Sequence, residues 1–174
     1  MQKLSTIMCG VSDDRDANAI QTALQGIYDR MSSQVFTSAG VTTATTTTQV
    51  KIASAINYIA GGISAYKAVT DNFWTLAGTV SNGATNVFCL FIDSTGAASS
   101  AMGTEATTVT AGQLTPGVRF PPMQEKKALV GYVIVSCSGG AFTGGSSGVA
   151  TAGNFTVTFV NTNGLFFDPT AVFN

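Results

Sequence analysis

The first patterned segment of the chain is amphipathic with helical spacing. Ser12 is a favourable N-cap, and the residues that follow it include three aspartates, which the helix dipole stabilises in a first turn. An apolar stripe recurs at helical intervals of four, three and four positions, at Ile20, Leu24, Ile27 and Met31. The pattern predicts one α-helix. Its stripe packs on its own chain, docks on a partner subunit or self-associates around a symmetry axis, and it is too short to distinguish these alternatives.

A threonine-rich tract, residues 37–49, follows the predicted helix. Threonine is β-branched and favours extended backbone, but a tract with so little apolar content does not form a core by itself. We therefore predict an extended connection that becomes a strand near Val50. The chain then divides into an N-terminal helical arm with its connection, residues 1–45, and a β-rich body, residues 46–174.

Alternating apolar and polar positions predict strands from Val50 onward. Residues 50–60 favour one strand with a dominant apolar face, and Gly61 and Gly62 then favour a tight turn into a returning strand over residues 63–69. The polar triplet 70–72 is predicted to end this hairpin.

The second half of the chain contains the strongest strand signals. Residues 86–93 are almost entirely apolar, which is typical of a strand buried on both faces, and residues 107–110 predict a short strand. Further strands are predicted over residues 128–136 and 154–161, separated by a glycine- and serine-rich surface loop over residues 139–153. The fold class predicted is all-β with an N-terminal α-helical arm, packed as a small antiparallel β-sandwich or rolled sheet.

The composition is unusually poor in charge. The chain is 45% hydrophobic and 10% charged, whereas an average soluble domain is about 25% charged. An uncharged polar surface suits strands that pack against neighbouring subunits, because a buried charge costs several kcal/mol, although an ordinary apolar β domain has the same composition. The net charge of −1 provides no field that attracts phosphate backbones or anionic lipids, so neither nucleic acid nor membrane is an expected partner.

The residues needed for most catalytic sites are missing from the sequence. It contains no histidine, which excludes Ser-His-Asp and Cys-His arrangements and HExxH zinc sites. Its only glutamates are Glu105 and Glu125, and Asp93 stands at a strand-to-turn junction, where an aspartate usually binds its own backbone. Because no phosphate loop or calcium loop is present either, we expect no enzyme activity, no cofactor and no metal site.

The three cysteines, Cys9, Cys89 and Cys137, are odd in number and lack CxxC spacing, so Cys89 and Cys137 are expected to be packing residues in strands. The first ten residues lack a secretory pattern, and no apolar run approaches the ~20 residues that span a bilayer. The single tryptophan, Trp74, is a candidate sugar-stacking platform with Phe73 and Tyr66, but a core position is favoured.

Four features follow one another in the C-terminal half of the sequence. They are an apolar strand that ends in a turn at residues 87–96, a proline turn that leads into a strand at 120–135, a glycine-rich segment at 140–145 and a closing strand at 154–160. This order resembles that of head decoration (cement) and head fibre proteins of tailed bacteriophages.

The resemblance implies a structural virion protein that is made in the host cytoplasm and is located on the outer capsid surface. It implies binding to the major capsid protein as a homotrimer, and it implies no catalytic residues. The stripe at Ile20, Leu24, Ile27 and Met31 is then the candidate interface. The alternative is a phage adhesin that recognises a host surface glycan through the loop over residues 139–153.

Overall fold

The computed structural model describes residues 18, 20–22, 24, 32–107 and 113–162, and the regular structure among these residues is mostly β-strand. Every strand pair among them is antiparallel. The predicted all-β class is therefore confirmed. The described strands are β1 (Gln34–Val35), β2 (Thr42–Thr43), β3 (Gln49–Ile52), β4 (Ile56–Ala60), β5 (Ile63–Lys67), β6 (Thr70–Thr75), β7 (Thr79–Val80), β8 (Thr85–Asp93), β9 (Ala98–Met102), β10 (Lys127–Cys137), β11 (Phe142–Thr143) and β12 (Phe155–Asn161).

A four-stranded sheet in the order β12-β10-β8-β9 forms one layer of the body. The central strand β8 is buried on both faces, as its apolar run predicts. Its side chains alternate between two apolar clusters, which are a main core with Phe88, Leu90 and Ile92 and a second core with Val87, Cys89 and Phe91.

A β-bulge in β10 keeps its apolar residues on the main core. The pairing with β8 shifts by one residue between Leu129 and Gly131. Because neighbouring strand positions point to opposite faces, such a shift exchanges the two faces of the strand. The main-core residues are accordingly at even positions before the bulge and at odd positions after it: Ala128 and Val130, then Val133, Val135 and Cys137.

Three smaller sheets form the opposite layer, in the orders β1-β4-β5, β2-β3-β6 and β11-β7. The main core lies between the two layers and contains residues from all four sheets. Trp74 of β6 is 1% exposed in this core and donates its indole N–H to the Phe91 carbonyl at 2.9 Å. The core position favoured for this tryptophan is thus confirmed.

The second core lies on the other face of the four-stranded sheet, under the long connection between β9 and β10. Within that connection Thr104 forms an antiparallel bridge with Arg119. Phe120 packs edge-on against Tyr132 with 5.1 Å between ring centroids. The strand predicted over residues 107–110 lies largely outside the described residues.

The single strand predicted over residues 50–60 is wrong, because β3 and β4 occupy this range and belong to different sheets. The backbone N–H groups of Ala53 and Ser54 both donate to the Ala39 carbonyl, at 3.0 and 2.9 Å, which ends β3. The predicted apolar face is correct, since both strands bury their even-numbered residues.

The threonine tract is packed into the body. Its strand β2 pairs with β3, and the N–H of Thr45 donates to the Asp71 carboxylate at 3.0 Å, while that of Thr46 donates to the Asn72 side chain at 2.9 Å. The preceding hairpin ends at Lys67, before residues 70–72 as predicted, but these three residues begin β6, a strand of a different sheet. The division of the chain near residue 45 stays a prediction.

The loop predicted over residues 139–153 is only partly a surface loop. It contains β11, which pairs with β7 and buries Phe142 completely, and it also buries Val149. The Val149 N–H donates to the Thr47 carbonyl at 2.7 Å. This segment therefore closes one end of the main core.

Candidate interaction surface

The surface with the most exposed apolar side chains on a described sheet is built on the β4–β5 hairpin. Gly61 and Gly62 have φ values of 58° and 79°, which glycine adopts without strain, and they form the predicted tight turn. In the hairpin Asn57 lies opposite Tyr66, and Ile59 lies opposite Ser64. The predicted hairpin is confirmed.

The two faces of the β1-β4-β5 sheet differ in burial. Val35 and Tyr58, which pair across β1 and β4, are 3% and 1% exposed, so this parity faces the main core. The opposite parity faces outward and leaves Phe36 46% and Tyr66 64% exposed. The residues of this outward parity, called the outer face below, are Gln34, Phe36, Asn57, Ile59, Ser64 and Tyr66.

The outer face carries no charged side chain. Lys67, the one charged residue in β5, lies opposite Ile56 and therefore has the inward parity. Its ammonium group donates to the Gly96 carbonyl at 3.1 Å and lies 4.5 Å from the centre of the Phe73 ring. The outer face is therefore apolar and uncharged polar throughout, a composition that suits contact with another protein surface.

The N-terminal arm joins the body at the turn of this hairpin. The Ser32 carbonyl accepts from the Gly62 N–H at 2.9 Å, and the Ser33 hydroxyl oxygen accepts from the Gly61 N–H at 2.9 Å. These two hydrogen bonds hold Ser32 and Ser33 beside the outer face.

Two of the four predicted interface residues are described. Ile20 and Leu24 have helical backbone and are 45% and 41% exposed. The hydroxyl of Thr22, on the same helix, donates to the Asn18 carbonyl at 2.8 Å. Ile27 and Met31 lie outside the described residues, so the stripe as a whole stays a prediction. Among the described residues, no helix is long and apolar enough to cross a membrane.

The sequence analysis did not single out Phe36, and it considered Tyr66 only as part of a sugar platform with Trp74, for which a core position was favoured. The structure separates these two aromatics, because Trp74 is buried and Tyr66 is exposed. The alternation of positions after the glycine turn predicts that Tyr66 faces outward, since it lies between the inward positions 65 and 67. No comparable signal marks Phe36, because β1 is only two residues long.

The acidic residues singled out from the sequence make local contacts. The Asp93 carboxylate accepts from the Thr95 hydroxyl at 2.6 Å and from the Ala97 N–H at 3.0 Å, which confirms the expected turn role. These hydrogen bonds, that of the Thr95 side chain foremost, lower the pKa of Asp93. The Glu105 carboxylate accepts from the hydroxyl of Ser81 at 2.9 Å, and no cluster of metal-ligating side chains occurs in the described part of the chain.

The two described cysteines are packing residues, as predicted. Cys89 and Cys137 are both free and fully buried. Burial raises the pKa of the Cys89 thiol to about 12 and also raises the pKa of Cys137. Both thiols are therefore protonated at neutral pH, which is typical of structural cysteines.

The loop over residues 139–153 offers little for glycan stacking. Its aromatic residue, Phe142, is fully buried between Phe88 and Phe155, with ring centroids 5.9 and 5.4 Å away. Sugar recognition by stacking requires an exposed ring face.

No protein-family model matches the chain, and no match to it was found among curated proteins or among solved structures.

Proposed function

We propose that this chain is a non-enzymatic structural protein of a bacteriophage virion, a capsid decoration (cement) protein or minor head fibre. In this proposal it binds the major capsid protein on the outer capsid surface as a homotrimer and stabilises or decorates the shell. The host cytoplasm is where it is made, and assembly requires neither cofactor nor metal. The family resemblance over the C-terminal half of the sequence motivates the proposal.

The outer face carries the proposal. It exposes two aromatic rings, Phe36 and Tyr66, on a sheet that is rigidly backed by the main core, and it has no charge to desolvate on association. Apolar burial stabilises an interface by about 25 cal/mol per Å², whereas burying an unpaired charge opposes association. A surface of this kind is suited to permanent assembly.

The body also has the construction of a durable scaffold. The four-stranded sheet is covered on both faces by apolar clusters, and buried side-chain nitrogen and oxygen atoms in the described residues all have hydrogen-bond partners. A fully satisfied interior resists local opening, which favours a structural role on a particle surface.

Co-sedimentation with shells of the parent virus that lack this protein tests the proposal. We expect saturable binding, with bound protein pelleting alongside the shells and reaching a fixed number of copies per shell. If the protein stays in the supernatant and instead binds defined sugars on a glycan array, the adhesin alternative replaces the proposal. If it binds neither, the proposal is also wrong.

A further inference from the structure

We propose that the outer face is the docking surface for the N-terminal helix of a second copy of this chain, so that neighbouring subunits exchange arms. This inference rests on the homo-oligomeric structural role proposed above and assigns the surface that makes the oligomer.

Two apolar features are exposed among the described residues. Ile20 and Leu24 are 45% and 41% exposed on the helix, and Tyr66 is 64% exposed on the sheet. Ser32 and Ser33, which follow the helix in the sequence, are hydrogen-bonded to the turn beside the outer face. A second copy supplies a partner for each feature.

The two aromatic side chains of the outer face lie in one row across the sheet. Phe36 directly follows β1 and Tyr66 lies in β5, with Asn57 of β4 between them. Strands are spaced about 4.8 Å apart, so the two aromatic positions are roughly 10 Å apart. An α-helix with side chains is about 10 Å wide, so one helix can contact both aromatic side chains.

The tether of the arm limits how far the helix can reach. Ser32 and Ser33 are hydrogen-bonded to the Gly61–Gly62 turn, at the end of β4. Leu24 and Ser32 are eight positions apart in the sequence, and an extended chain of that length spans at most roughly 29 Å. This reach confines the stripe to subunits that contact the same end of the body.

Arm exchange also satisfies the requirement of closed symmetry. The helical stripe and the outer face are different surfaces, and repetition of the contact between them by rotation closes a ring. Such a ring is a two-fold dimer when two copies exchange arms reciprocally, or a larger ring such as the proposed trimer.

Disulfide trapping in full-length protein tests the inference. Cys9→Ser provides the background, since Cys89 and Cys137 are fully buried and do not compete. Chains with Leu24→Cys and chains with Tyr66→Cys are co-expressed and oxidised. We expect a cross-linked pair that contains one chain of each kind. The matched control is co-expression of Leu24→Cys chains with Thr79→Cys chains, because Thr79 is an exposed position of β7 outside the outer face. This control should give no cross-linked pair.

Other cross-linking patterns would overturn the inference. Leu24→Cys chains that cross-link mainly with each other would show that the helices bundle together. If the Leu24→Cys/Tyr66→Cys double variant forms intramolecular disulfides and no intermolecular ones, each arm docks on its own body. Absence of any cross-link in an oligomer would also reject arm exchange. If light scattering instead finds a monomer, the proposed function itself fails. Light scattering thus distinguishes failure of the proposed function from failure of arm exchange alone.

A charge variant provides a readout without cysteines. Tyr66→Lys should raise the concentration at which the oligomer half-dissociates by at least about tenfold, because a charge enters the centre of an apolar contact. Thr79→Lys adds the same charge at an exposed position of β7 and should leave that concentration unchanged. Equal behaviour of the two variants would overturn the inference.

Discussion

Gly131 marks a point where two strands approach too closely for any side chain. A Cβ at this position would lie 2.5 Å from the Val160 carbonyl oxygen of β12. Because this oxygen belongs to the backbone, it cannot rotate away as a flexible side chain could. Gly131→Ala should therefore lower the free energy of unfolding by about 1–3 kcal/mol. Urea denaturation of this variant and of Gly153→Ala, where a Cβ meets nothing within 4 Å, checks the prediction. Similar stability of the two variants would contradict it.

Asp93 is expected to make the free energy of unfolding depend on pH in the acidic range. Its pKa in the folded protein lies below the ordinary value of 3.8, chiefly through the Thr95 hydroxyl and then the Ala97 N–H. The charged form therefore stabilises the fold above pH 3.8, and this contribution is lost as the pH falls through the folded pKa.

Asp93→Asn should accordingly be less stable than wild type at neutral pH, with the difference shrinking as the pH is lowered below the unfolded pKa. Urea denaturation at a series of pH values measures this difference. Glu125→Gln is the control, because the Glu125 side chain is 71% exposed. A difference for Asp93→Asn that is constant with pH would refute the assignment.

At the scale of elements, one of the shortest strands depends on a single buried side chain. The two-residue strand β11 is held by Phe142, which is fully buried and packs edge-on against two other phenylalanines. Phe142→Ala should lower the free energy of unfolding by about 3–5 kcal/mol, whereas Thr143→Ala, at the exposed neighbouring position, should change it by less than about 0.5 kcal/mol. Thermal and urea denaturation check this, and a cost near zero for Phe142→Ala would contradict the packing.

The strands that could be predicted from sequence are those with a strong local pattern. Strands β8, β10 and β12 carry long apolar or alternating runs, and the β4–β5 hairpin has a glycine pair at its turn. Strand β9 has the sequence ASSAM, whose small residues give no periodic signal, and its pairing with β8 is what makes it a strand. Strands β1, β2, β7 and β11 have two residues each, too few for any period.

The break between β3 and β4 shows why a correct pattern can still give a wrong topology. Val50 and Ile56 share one parity and both are buried, so the apolar parity is the same on either side of the break, although Ser54 within it is exposed. What separates the strands is the Ala39 carbonyl, which accepts two N–H groups from the intervening residues. That acceptor is distant in sequence, and no local pattern reveals it.

At the scale of the whole molecule, only one of the two parts of the candidate site could be predicted from the sequence. The helical stripe follows from spacing alone, but the outer face requires knowledge of which hairpin side faces the core. Parity suggests that Tyr66 points outward, whereas the approach of Phe36 to the same row depends on the pairing of β1 with β4.

The stripe variant Leu24→Asp tests whether the arm matters to assembly. An aspartate on the apolar stripe is expected to dissociate the oligomer or release the protein from shells, because burying an unpaired carboxylate is strongly unfavourable. The body should stay folded, with an unchanged urea midpoint. Full occupancy on shells by Leu24→Asp protein would contradict a role for the stripe, and Gln21→Asp, at an exposed position of the same helix, serves as the control.

The mass of the purified full-length protein in solution, measured by light scattering, tests the central claim most directly. The account predicts a homotrimer, with three times the 17.8 kDa mass of one chain, stable on dilution. A species of 17.8 kDa at all concentrations would contradict assembly through the outer face and with it the proposed structural role.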